Sequence, residues 1–184
     1  RTKTEKSKIE NKWIVSDKGN YTDGYQISNF YDDSKAILNP LSTELKDIGT
    51  INYTLGNDII IPSNLGTYRG SSGDDTFIIS ELISNTAKIS IVDTKGINII
   101  QILDNTNIVS SVWAKDAVKL TLSNDRIVTI NGADKFTFNL GGNITTSETG
   151  ESLIYSEFAA VFGVSELPID TSIINGTIND IYII

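Results

Sequence analysis

The chain contains no cysteine and no histidine in 184 residues. Without cysteine there is no disulfide, no thiol nucleophile and no cysteine-built zinc site. Without histidine, Ser-His-Asp and Cys-His mechanisms fall away with most zinc and iron chemistry, leaving carboxylate, tyrosine, lysine or serine schemes. The composition therefore points away from an enzyme. An excess of basic charge is missing too: the formal net charge is −8 and the isoelectric point is near 4.5. That balance argues against nucleic acid and anionic membrane surfaces, and it suits cations. No apolar stretch approaches the roughly twenty residues that span a bilayer, and no signal peptide is visible at the start. Long runs of helix formers are scarce, whereas isoleucine, threonine, serine and asparagine are abundant, which favours strands and turns. With 39% apolar residues the chain has enough to bury a core.

What is present begins with Gly70-Ser71-Ser72-Gly73-Asp74-Asp75-Thr76-Phe77-Ile78. This segment fits the nine-residue calcium turn G-G-x-G-x-D-x-U-x except at the second glycine. Glycines let the backbone turn sharply and expose carbonyl oxygens, the aspartate adds a hard anionic ligand, and the following apolar residue starts a buried strand. A turn in which the aspartate only caps its own backbone has the same appearance. The core of the pattern recurs as Gly56-Asn57-Asp58-Ile59-Ile60, Gly96-Ile97-Asn98-Ile99-Ile100 and Gly132-Ala133-Asp134-Lys135-Phe136. Two nonapeptides close a coil in about eighteen residues, so Asp58 and Asp75 are expected a coil apart on one side with calcium between them. The interval to Asn98 is longer and requires an insertion in the Ser84-Asn85-Thr86 turn. Asn98 is neutral, so a site there is expected to be weaker. Asp134, about two coils on, reads as a turn cap.

Residues 1–50 read as a polar lead-in with short strands, a linker to sequence upstream; the start at Arg1 is what a fragment or processed product would show. Their cluster of Tyr21, Tyr25, Phe30 and Tyr31 suits cross-strand packing or a sugar-stacking surface. Residues 51–164 alternate short strands with turns rich in Asn, Asp, Gly and Ser. Segments such as Lys88-Ile89-Ser90-Ile91-Val92 and Phe136-Thr137-Phe138-Asn139-Leu140 alternate apolar with polar, burying one face each. The expected fold is all-β: a right-handed parallel β-roll or short β-solenoid with one C-terminal capping helix. An antiparallel β-sandwich is the alternative. The helix is expected over 152–163, with Ile154, Phe158, Val161 and Phe162 on its apolar face and Gly163 ending it. Residues 165–184 form a loosely packed tail, with Pro168 and two turn-prone pairs ahead of a terminal apolar run that could also pair as an edge strand.

Gly70 to Ile78, Asp93 to Ile102, Leu120 to Asn124 through Thr129 to Phe138, Tyr155 to Val164 and the terminal Asp180-Ile181-Tyr182-Ile183-Ile184 resemble the repeats-in-toxin proteins that Gram-negative bacteria export by the one-step type I system. The resemblance covers about residues 51–184 and is closest to the C-terminal regions of S-layer and other surface proteins of that class. It implies a non-enzymatic, calcium-binding module that is secreted, extracellular or at the cell surface, and that folds outside the cell. Its partner would be the type I secretion apparatus, with self-association in a surface layer. The residues so implied are Asp58, Gly70, Ser72, Gly73, Asp75 and Asn98 for calcium, and Asp180, Ile181, Tyr182, Ile183 and Ile184 for export. An S-layer or adhesin assembly domain joined through calcium is the alternative function. An accessory carbohydrate-binding domain of a polysaccharide-acting enzyme is the second.

Overall fold

A computed structural model describes residues 8–9, 12–16, 49–52, 56–63, 66–104, 106–141, 150–176 and 181–183. Its first strands are Lys8–Ile9 (β1), Lys12–Ser16 (β2), Gly49–Asn52 (β3), Asn57–Ile61 (β4), Gly66–Arg69 (β5), Thr76–Ile79 (β6), Lys88–Val92 (β7) and Asn98–Ile102 (β8). Then come Asn107–Trp113 (β9), Ala117–Leu122 (β10), Arg126–Asn131 (β11), Phe136–Leu140 (β12) and Glu151–Leu153 (β13), helix Tyr155–Val161 (α1), Ile174–Asn175 (β14) and Ile181–Tyr182 (β15). One sheet runs β1-β2-β4-β6-β8-β12-β13 and the other β14-β9-β10-β11-β7-β5-β3, with β15 also on β9. From β3 to β8 each strand crosses to the opposite sheet, so β3, β5 and β7 pair in parallel in one and β4, β6 and β8 in the other. After β8 the chain makes the antiparallel β9-β10-β11 meander; β11 then resumes parallel pairing on β7, and β12 on β8. The long gap between Asn98 and the Asp134 turn is thus filled by two extra strands.

Among the described residues the architecture is all-β, with two mixed sheets and one α-helix. Neither a purely parallel coil nor a sandwich of hairpins describes it, because parallel centres carry antiparallel flanks. The alternation read from β11 and β12 puts Val128, Ile130, Phe136 and Phe138 inward, where they join one core with Phe77, Ile91, Ile100 and Leu120. β4 and β6 are instead buried along nearly their whole length, with unbroken apolar runs at Ile59–Ile61 and Phe77–Ile79 after polar starts, as strands covered on both faces are.

The helix is shorter than 152–163, because Glu151–Leu153 pairs with β12 as a strand. Ile154 precedes the first turn and is 59% exposed, so it lies off the apolar face assigned to it, and Tyr155 is buried in its place. The Ile154 N–H donates to Glu157 (2.9 Å), half of a capping box. At the other end Gly163 takes the left-handed conformation, its N–H donating to Ala160 and that of Val164 to Ala159, a Schellman ending. Phe158 and Phe162 close on Trp113 at ring distances of 5.2 and 5.3 Å, and Phe158 stacks on Phe138 at 4.3 Å. The helix therefore covers the end of the core built by β9 and β12.

The lead-in residues contribute β1 and β2 to the first sheet, and β3 to the second. In the tail, residues 169–175 are exposed, but β14 and β15 both pair with β9 and Ile183 joins the core. In the folded chain this end is an edge strand. Tyr21, Tyr25, Phe30, Tyr31, Asp180 and Ile184 lie outside the described residues.

The Ser84–Thr86 insertion bulges between β6 and β7, with Thr86 at φ 63°. It is fastened by Arg126, which is only 2% exposed. The guanidinium donates to Ser123 through Nε and Nη2 (2.8 Å each) and reaches Glu81 and the Ile83 carbonyl through Nη1. A buried arginine is tolerated only when its donors are filled, and these bonds tie the bulge to the β10-β11 turn.

Candidate cation site

Parallel register fixes the site. β4 and β6 align Ile59 with Thr76, and β6 and β8 align Thr76 with Ile99, so Asp58, Asp75 and Asn98 stand side by side at the strand starts. Their carboxylate and amide oxygens serve as rungs. Asp75 Oδ1 accepts the Asp58 N–H (2.7 Å), and Asn98 Oδ1 accepts the Asp75 N–H (2.8 Å). One residue earlier a second ladder runs the opposite way: Asn57 Oδ1 accepts the Asp74 N–H and Asp74 Oδ1 the Ile97 N–H, both at 2.8 Å. These oxygens satisfy backbone N–H groups that the turn cannot pair otherwise. The glycines serve the same stacking. Gly73 and Gly96 have φ of 106° and 87°, and a Cβ on either would strike the carbonyl of the glycine one coil back, Gly56 or Gly73.

Not every oxygen is used by the ladders. Asp75 is fully buried and Asp93, at the end of β7, is 4% exposed. Asp93 Oδ1 accepts the Lys95 N–H (3.1 Å), but Oδ2 of Asp93 and Oδ2 of Asp75 have no hydrogen-bond partner. Both crowd the same Cα: a Cβ on Gly70 would collide with each of them. Two carboxylate oxygens in van der Waals reach of one point make a hydrogen bond only if a proton sits between them. The Asp75 carboxyl is accordingly pushed up to about 8, first by burial and then by the nearby Asp93 and Asp58, against the lowering effect of the Asp58 N–H. Either a proton or a cation must offset this charge.

The expected ligands therefore divide. Asp75 is at the centre, with Gly70 packed against its carboxylate. Asp58 is buried beside it and donates its N–H to it. Asn98 spends its amide oxygen on Asp75 and its amide nitrogen on the Lys95 carbonyl (3.0 Å), so it acts as a peg for the Asp75 backbone. The Gly73 carbonyl lies against Gly96, and Ser72 is half-buried in the same turn. Asp134 pairs with Lys135 at the surface (2.7 Å). Its ladder position is that of Gly96, while Phe136 aligns with Asn98 and ends the polar row. The residue that sequence reasoning missed is Asp93. Aligning Asp93-Thr94-Lys95-Gly96-Ile97-Asn98 with Gly70-Ser71-Ser72-Gly73-Asp74-Asp75 places it at the motif's first glycine, a signal legible only once the turns are superposed. Among the described residues no three acidic side chains are grouped as metal ligands; the convergence is of two.

Two desolvated and otherwise unpartnered carboxyl oxygens suit a hard cation, and four or more further oxygens, from backbone or water, would complete the roughly six to eight that calcium takes. The chain matches no protein-family model, no curated protein and no solved structure.

Proposed function

We propose that the chain is a non-enzymatic module stabilised by calcium held between the Gly70–Asp75 and Asp93–Asn98 turns. The observation that carries this reading is the convergence of Asp75 Oδ2 and Asp93 Oδ2 on Gly70, both buried and without a hydrogen-bond partner. A divalent ion there offsets two like charges that otherwise repel. The alternation of parallel strands between two sheets supports reading residues 49–140 as a β-roll interrupted by β9 and β10, the architecture in which stacked turns hold such ions. The resemblance of its turns and last residues to type I secreted surface proteins supports reading the chain as a region of such a protein. It would stay loose in the low calcium of the cytoplasm and fold outside the cell. The last residues would address the parent protein to the exporter before β15 docks.

Extracellular modules hold calcium with Kd of about 10⁻⁴ to 10⁻³ M, so a site at the tight end gains about 1.4 kcal/mol in 1 mM calcium. The test is a pair of melting curves, with calcium and with chelator. The wild-type chain should melt several degrees higher in calcium, and Asp75→Asn, which keeps an oxygen for the Asp58 N–H, should lose that difference. Superimposable curves for the wild-type chain would refute the reading.

A further inference from the structure

Against Asp93 lies a cavity of about 190 Å³ lined by Arg69, Ser71, Val92, Asp93, Thr94 and Lys95. In a chain with a net charge of −8, two cations border one small hollow next to a buried acid. Both are placed there by the backbone that builds the site. Arg69 ends β5 and immediately precedes Gly70; the pairing of Tyr68 with Ile91 sets it beside Val92, which precedes Asp93. Lys95 is held by its own N–H on Asp93 Oδ1, so its side chain springs from a Cα fixed near that carboxylate. Both side chains are exposed, and neither makes an ion pair among the described residues. Mobile ammonium and guanidinium groups at this hollow are drawn to the Asp93 carboxylate that lines it, and they repel a divalent ion entering the same space.

We propose that Arg69 and Lys95 are resident counter-cations that set the affinity of the site, so that calcium binds by exchange with them. This rests on the cation site proposed above. A bare pair of desolvated carboxylates would bind tightly; two competing cations hold the affinity down, toward calcium concentrations met outside cells, and they give the calcium-free protein a partial substitute for the ion.

Isothermal titration of the full chain with calcium chloride at low ionic strength tests the exchange. A unit charge several ångströms from a divalent ion, across a largely aqueous path, is worth roughly a threefold to tenfold change in affinity. Arg69→Gln and Lys95→Gln should therefore each tighten binding by about that factor, and the double variant by more. Arg69→Lys and Lys95→Arg should bind as the wild type does. The gap between Gln variants and wild type should shrink in 1 M sodium chloride, where screening acts within about 3 Å. Wild-type affinity in both Gln variants would overturn the exchange while leaving the calcium site standing. Absence of calcium binding in the wild type, matching Asp75→Asn, would overturn both.

Discussion

Asp75 performs two tasks with its two oxygens, and they separate by mutation. Oδ1 closes the ladder to Asp58; Oδ2 meets Asp93. Without calcium, the folded carboxyl titrates at about 8 against 3.8 for the unfolded chain. Between those values the native state holds the extra proton, so calcium-free stability falls as pH rises through that window. Denaturant unfolding in chelator should show the chain more stable at pH 5 than at pH 8, and Asp75→Asn should reduce that slope; a rise in stability with pH would contradict the assignment. Gly70→Ala should be destabilising and should weaken calcium binding, because its methyl group takes the space of both oxygens. Of this constellation, Asp58, Asp75 and Asn98 were legible from spacing, since one coil fixes which residues become neighbours. Asp93 was not, because a carboxylate occupying a glycine position breaks the motif that would have marked it. The opposed side-chain ladders were hidden too, as a pattern of Asn and Asp does not say which backbone N–H each oxygen will meet.

At the scale of elements, the strands could be read closely because apolar residues recur at period two in β7, β10, β11 and β12. Their pairing could not. Nothing local distinguishes β9 and β10, which turn back on each other, from strands that continue the coil. The helix shows the same limit: spacing put Ile154 on the apolar face, but pairing of β13 with β12 pulled the helix start forward and turned Tyr155 inward. There the Tyr155 hydroxyl meets the Ala114 and Ala117 carbonyls at 2.8 Å. Phe158 is fully buried against Trp113 and Phe138, so Phe158→Ala should cost about 3 to 5 kcal/mol. A urea titration showing a loss below about 1 kcal/mol would mean that the helix does not cover the core. Arg126→Ala should also destabilise, by roughly 2 kcal/mol or more, since it leaves the Ile83 and Ser123 carbonyls without their donor.

For the whole molecule, the absent residues proved as informative as those present. A chain without cysteine has no disulfide staple, so stability beyond its core draws on the backbone and side-chain ladders and, in the proposed account, on a hard cation held by oxygen. The tail joins this scheme twice in the proposed cycle: as an address while the chain is unfolded, and as β15 with Ile183 in the core afterwards. Deleting residues 180–184 should stop release of the parent protein by cells carrying its exporter, and should lower the melting temperature of the purified chain by a few degrees without unfolding it. Normal secretion of the truncated protein would refute the address role. The central claim is tested most directly by anomalous difference density from crystals grown in millimolar calcium. The account predicts one peak between Asp75 and Asp93, with Oδ2 of each at about 2.3 to 2.6 Å from the ion. A map without that peak, with the two carboxyls joined through a shared proton, would contradict it.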